Sequence, residues 1–162
     1  MFADKGIGWI ILGLILMIPR KTRPAAVAAL IAVLLGLLSG EFLIKVFVAR
    51  PRPFVVYESF HCAVMPFKLN MGKASGFSFP SGHTCASFAF ATAMFKINKK
   101  VGICALAAAA LVGFSRLYNY VHFPTDVIAG MLLGIFWGLI IIFVFKKFNI
   151  DEKVLKIGKS HS

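Results

Sequence analysis

From Ala25 to Val48 the chain carries no charge except Glu41 and Lys45, and from Thr125 to Phe145 none except Asp126. A helix needs about 20 mainly apolar residues to cross the roughly 30 Å hydrocarbon core of a bilayer. Both runs are long enough. Three further apolar segments, Gly6–Pro19, Ser81–Phe95 and Val101–Phe114, are shorter; flanking loop residues can extend the last two, and the first is marginal. The expected fold is therefore all-α: a polytopic transmembrane helical bundle with five visible spans, forming one compact domain over residues 1–150. Residues 151–162 read as a frayed, basic cytoplasmic tail.

With 59% hydrophobic residues the chain is far more apolar than an average soluble domain. Met1–Lys5 has no basic n-region and no small-residue cleavage site follows, so the apolar stretches read as mature spans rather than a secretory leader. The formal charge is +12, from 18 Lys and Arg against 6 Asp and Glu. In so apolar a chain that excess reads as the positive-inside bias and attraction to anionic headgroups, and a nucleic-acid partner is not expected. Cys62, Cys85 and Cys104 lack metal-ligand spacing, and the latter two sit in apolar stretches as small hydrophobes.

Basic residues fix the orientation. Arg20, Lys21 and Arg23 follow the first segment, Lys96, Lys99 and Lys100 the third, and Lys146, Lys147, Lys153, Lys156 and Lys159 the fifth. Strict alternation gathers all of them on one side, expected to be the cytoplasm. The 49–80 and 115–124 loops then share the opposite side. The 54–79 loop is aromatic and apolar, which suits a partly helical segment in the headgroup plane, either a lip over a lipid entrance or a plain cover for the bundle.

Those two loops and their borders hold three polar strings: Lys45-x6-Arg52-Pro53, Pro80-Ser81-Gly82-His83 and Ser115-Arg116-x5-His122-x3-Asp126. Ionisable groups at membrane depth are costly and mark function. Pro124 suits a helix start, which puts His122 and Asp126 on one face four residues apart. Asp126 can then accept from one imidazole nitrogen and leave the other free to attack, although a purely structural hydrogen bond fits the same spacing. Pro80–His83 opens a helix whose N-terminal amides face an anion; Ser81 adds a hydroxyl and His83 a proton for a departing alkoxide. N-capping by Ser81 with a buried His83 is the plainer alternative. Lys45, Arg52 and Arg116 supply the cations that a transferring phosphoryl group needs. Lys45 could instead pair with Glu41 one turn earlier, and Arg50 could be a fourth phosphate ligand or a headgroup-snorkelling arginine. Separately each string has a bland reading; three in order on one face read as a site that cuts phosphate esters.

The three strings resemble the signature of the type-2 phosphatidic acid phosphatase superfamily, K-x6-RP, PSGH and SR-x5-H-x3-D, complete from Lys45 to Asp126. The resemblance implies a helical membrane lipid phosphatase, usually of six spans, with the site at the extracytoplasmic end. It implies His122 as the nucleophile that forms a phosphohistidine, Asp126 as its orienting carboxylate and His83 as the acid for the leaving group. Lys45, Arg52, Ser81, Gly82 and Arg116 would hold the phosphate, with no metal or other cofactor. Undecaprenyl diphosphate is the first substrate implied, with phosphatidylglycerophosphate or phosphatidate as the alternative. The vanadium haloperoxidases resemble the signature too, but they are soluble. A non-catalytic lipid-binding or scrambling protein would be expected to have lost the nucleophile. Partners are then the lipid phosphate and the bilayer, and the oligomeric state stays open.

Overall fold

A computed structural model describes residues 6–59 and 74–156. The described residues are helical, in the order α1 (Ile7–Leu16), α2 (Arg23–Leu37), a π-helical segment (Leu38–Ile44), α3 (Lys45–Val48), α4 (Pro53–Ser59), α5 (Gly82–Met94), α6 (Lys99–Tyr118), α7 (Pro124–Lys147) and α8 (Ile150–Lys156). Three stretches are long and apolar enough to cross a membrane: Arg23–Val56, Lys99–Tyr118 and Pro124–Lys147. α1 and α5 are shorter. The five expected segments are all helices, and three of them reach spanning length.

α5 is the axis of the bundle, packed by α2, α6 and α7 and touched by α1. Ser81 N-caps it, its side chain accepting from the Thr84 N–H, and every residue from Thr84 to Met94 is buried. Thirteen residues make a helix of about 20 Å, too short to cross alone. Its neighbours carry it. Ala86, Ala89 and Ala93 meet Ala25, Ala28, Ala29 and Ala32 of α2 in a core with few large side chains. On the other face α7 presents Gly130, Gly134 and Gly138; a Cβ at Gly130 would lie 2.5 Å from the Ser81 carbonyl and one at Gly138 2.6 Å from Thr92 Cβ. Lipid tails are as apolar as leucine, so helices in a bilayer associate through such close backbone approach. The large side chains point outward instead, among them Phe42, Phe47, Leu111, Leu132 and Phe143.

Several local features differ from the sequence expectation. α6 begins at an Asn98 cap, whose side chain accepts from the Val101 N–H at 2.9 Å, and runs on to Tyr118, so Ser115 and Arg116 lie in a helix rather than a loop. Between α2 and α3 the helix widens into a π-turn at Leu38–Ile44, where the Ser39 hydroxyl donates to Leu35 O at 2.8 Å and accepts from the Trp137 indole at 2.9 Å. A Ser-Gly pair and a back-bonding hydroxyl both loosen the helical ladder. Residues 150–156 do not fray: they form α8, packed on α2 and α7 with Val154 buried, and Asp151 pairs with Lys96 at 2.9 Å. The 54–79 lip is helical from Pro53 to Ser59; its centre, with Cys62, lies outside the described residues, as do His61 and His161.

The Lys96–Asp151 pair joins the basic turns at one end of the bundle, while the three polar strings meet at the other. Substituting Gly134→Leu should force α5 and α7 apart and lower stability by on the order of 1–3 kcal/mol. Leu132→Ala, on the outward face, should change it by about 0.5 kcal/mol or less. Thermal unfolding in one detergent compares the two.

Candidate active site

Asp126 joins the three strings. It is fully buried at the start of α7, where it serves as the N3 residue of a capping box: Oδ2 accepts from the Phe123 N–H at 2.8 Å. Oδ1 accepts from Arg50 Nη1 at 2.9 Å, and the same nitrogen donates to Thr125 Oγ1 at 2.6 Å. The Arg50 guanidinium lies 3.9 Å from the Phe123 ring centroid. The main-chain carbonyl of Asp126 accepts from the Ser81 N–H at 3.0 Å, which ties the start of α7 to the start of α5.

His122 is buried beside this carboxylate, with Nδ1 3.5 Å from Asp126 Oδ2. That is an ion-pair distance, longer than a hydrogen bond, because Oδ2 is already held by the Phe123 amide. Nδ1 has no hydrogen-bond partner among the described residues. Catalytic hydrogen bonds in a substrate-free site are often long and tighten on binding. Burial pushes the imidazole down to about 4, the cations Arg52 and Lys45 push it the same way, and Asp126 and a Ser78 main-chain hydrogen bond pull back only in part. The resting ring is neutral at physiological pH.

Arg52 is buried and spends three donors on carbonyls: Nε to Gly76 at 2.9 Å, Nη2 to Ser75 at 3.0 Å and Nη1 to Val121 at 3.0 Å. It clamps the 74–78 segment and the turn before His122 onto one charge. A guanidinium has five N–H donors, so two have no acceptor among the described residues. Ser78 closes the clamp, its N–H donating to Arg50 O at 2.8 Å and its hydroxyl to Pro51 O at 3.1 Å.

Lys45 is buried and pairs with Glu41 at 2.7 Å, the ion pair that the sequence left open. The Glu41 carboxylate also sits over Gly82: a Cβ there would lie 2.7 Å from Oε1. Ser81 Oγ shares a hydrogen bond with Thr84 Oγ1 at 2.9 Å and caps α5 as the plainer reading expected.

His83 and Arg116 belong to the adjoining cavity, of about 450 Å3, which they line together with Ser115, Ser87, Trp9, Leu12 and Val112. Arg116 Nε and Nη2 both donate to Ser115 Oγ at 3.2 Å. Ser87 Oγ donates to the His83 carbonyl at 2.8 Å and accepts from the Trp9 indole at 2.7 Å, so α1 is pinned beside His83. The polar end of this cavity can take charge and the apolar walls a hydrocarbon or small headgroup.

All eight predicted site residues thus lie at one end of the bundle, in two adjoining groups. The sequence reading missed the contact of Arg50 with Asp126. It spans 76 positions, and no local spacing signals it. The π-turn that sets Glu41 against Gly82 and Trp9 beside His83 were missed as well.

The described helices form a bundle that holds a buried imidazole and carboxylate among cations at one end. The chain matches the PAP2 superfamily over residues 24–150 and belongs to that family. It is 35% identical over 127 residues to the undecaprenyl-diphosphatase of Sulfolobus acidocaldarius, covering 78% of this chain and 58% of that one. Among solved structures it resembles Aquifex aeolicus LpxE, with TM-score 0.63, 30% identity and 87% and 81% of the two chains covered. It also resembles the transmembrane PAP2-type phosphatidylglycerolphosphate phosphatase of Bacillus subtilis, with TM-score 0.61, 30% identity and 86% and 68% covered. The chain spans about half the length of the curated relatives it matches.

A buried base held below its ordinary value binds fewer protons folded than unfolded between pH 6.5 and about 4. Its contribution to stability is therefore present above pH 6.5 and lost as pH falls through that window. Wild-type protein should lose more thermal stability between pH 6.5 and 4 than His122→Asn, measured by unfolding in detergent at each pH.

Proposed function

We propose that this chain is a lipid phosphatase that hydrolyses a membrane lipid phosphate or diphosphate, with undecaprenyl diphosphate as the first substrate. The observation that carries the reading is the buried, neutral His122, its Nδ1 toward Asp126 and its surroundings set by Lys45 and Arg52. The Sulfolobus relative's name supports the diphosphate. The Bacillus neighbour's title supports phosphatidylglycerophosphate, one of the two alternatives beside phosphatidate.

In this mechanism Lys45, the spare donors of Arg52, Arg116, the Ser81 hydroxyl and the Gly82 N–H bind the phosphate oxygens and hold the phosphorus in line. His122 Nε2 attacks phosphorus. The Nε2–P bond forms, the P–O bond to the lipid breaks, and the departing oxygen takes a proton from His83. Asp126 steadies the Nδ1–H of the ring, which now carries positive charge. Water then attacks phosphorus, giving its proton to His83; the N–P bond breaks and phosphate leaves. No step calls on a metal, since the cations of the chain supply the positive charge.

The catalytic unit would comprise residues 1–150, with a basic tail after it. The site would face away from the cytoplasm of a bacterial-type plasma membrane, because the basic residues collect at the opposite end. Glu41 would leave Lys45 when phosphate arrives.

Phosphate release from detergent-solubilised protein in EDTA tests the proposal, with undecaprenyl diphosphate, phosphatidylglycerophosphate, phosphatidate and a soluble ester as substrates. Turnover of a lipid but not the soluble ester, lost in His122→Ala, is expected. Equal turnover of the soluble ester, or persistence in the variant, would count against it. Lys45→Ala and Arg116→Ala should each lower kcat/KM on the order of a hundredfold or more, read in the same assay.

A further inference from the structure

Arg50 stands outside the phosphate-binding set, yet it is the charged partner of the fully buried Asp126. Its Nη1 reaches Oδ1 at 2.9 Å and Thr125 Oγ1 at 2.6 Å, and its guanidinium plane lies on Phe123. All three contacts fall on the entry and first turn of α7. Its own carbonyl accepts from Ser78. The arginine therefore joins the end of α3, the 74–78 segment and the start of α7 at one carboxylate.

The two oxygens of Asp126 have separate duties. Oδ1 faces Arg50, while Oδ2 faces the Phe123 amide and, at 3.5 Å, His122 Nδ1. An unshared buried carboxylate next to an imidazole would favour the doubly protonated ring, whose Nε2 has no lone pair to attack with. The other groups facing the ring are Arg52 and Lys45, both cations, and the Ser78 main chain. Arg50 does not face it. Any influence it has runs through Asp126.

We propose that Arg50 is the positioning residue of the nucleophile: by holding Oδ1 it fixes which oxygen faces His122 and weakens the pull of Asp126 toward a doubly protonated ring. The role rests on the reading of His122 as the nucleophile. The arrangement asks Asp126 for orientation before attack, when the ring is neutral, and for charge stabilisation only after Nε2 has bonded to phosphorus. By sharing Asp126, Arg50 also keeps the phosphorylated ring from being over-stabilised, so that the N–P bond remains open to water.

The test compares kcat/KM against pH for wild type, Arg50→Gln and Arg50→Lys on the lipid substrate that wild type turns over best, with His122→Ala as baseline. Wild type should hold its activity to well below pH 6.5. Arg50→Gln should move the acid limb upward by about one pH unit or more. Arg50→Lys, which keeps the charge, should return it most of the way. A uniform loss in Arg50→Gln at every pH, with the limb in place, would make Arg50 a structural clamp only and overturn the inference. If Arg50→Gln does not fold, Arg50→Met, whose stem still covers Phe123, is read in its place. If neither folds while Arg50→Lys does, the charge serves folding and the inference is overturned. Activity in His122→Ala equal to wild type would instead remove the nucleophile reading itself, whatever the Arg50 variants do.

Discussion

A carboxylate without solvent contact at the start of α7 organises this end of the molecule. Burying a charge is costly unless it is paired and hydrogen-bonded, and breaking such a pair is far costlier than never building it. Asp126 meets the requirement with the Phe123 amide on one oxygen and Arg50 on the other. Its main-chain carbonyl fixes the Ser81 amide, and its Oδ2 lies 3.5 Å from His122 Nδ1. The end of α3, the cap of α5 and the start of α7 therefore stand in register because one buried charge has to be satisfied.

The bundle beneath supplies a rigid platform. The short, buried α5 carries His83 and the Ser81–Gly82 turn at its N-terminus, so whatever holds α5 holds the site. Alanines of α2 and glycines of α7 let backbones approach it closely, and one such approach, Gly130 against the Ser81 carbonyl, lies directly under the cap. Small residues in the core and large ones facing outward invert the soluble pattern, because in a bilayer association comes from packing and not from the hydrophobic effect. In this protein the arrangement couples helix packing to the height and direction of the Ser81–Gly82 turn.

Much of this was legible in the sequence because it is local or periodic. Five apolar segments became five helices, Pro124 opens α7, Ser81 caps α5, and the alternation of spans put the three polar strings at one end and the basic turns at the other. The Glu41–Lys45 pair was visible as an i, i+4 spacing. What escaped was long-range or conformational. Arg50 and Asp126 meet across 76 positions. The π-turn at Leu38–Ile44 depends on Ser39 meeting Trp137, far along the chain. Arg116 read as a loop residue because the apolar run stops at Phe114, whereas the helix continues one turn past it. Periodicity reports which face of a helix is buried, but it is silent on which partner waits there.

Covalent catalysis at His122 Nε2 is the proposal on which every other assigned role depends. The most direct measurement is rapid quench of the solubilised protein with a phosphorus-labelled lipid substrate, held at alkaline pH where phosphohistidine survives, followed by peptide mapping. The label should appear on the peptide containing His122 within one turnover and disappear as free phosphate is released. Label on no residue while phosphate is released at the full rate, or label on His83, would contradict the assignment.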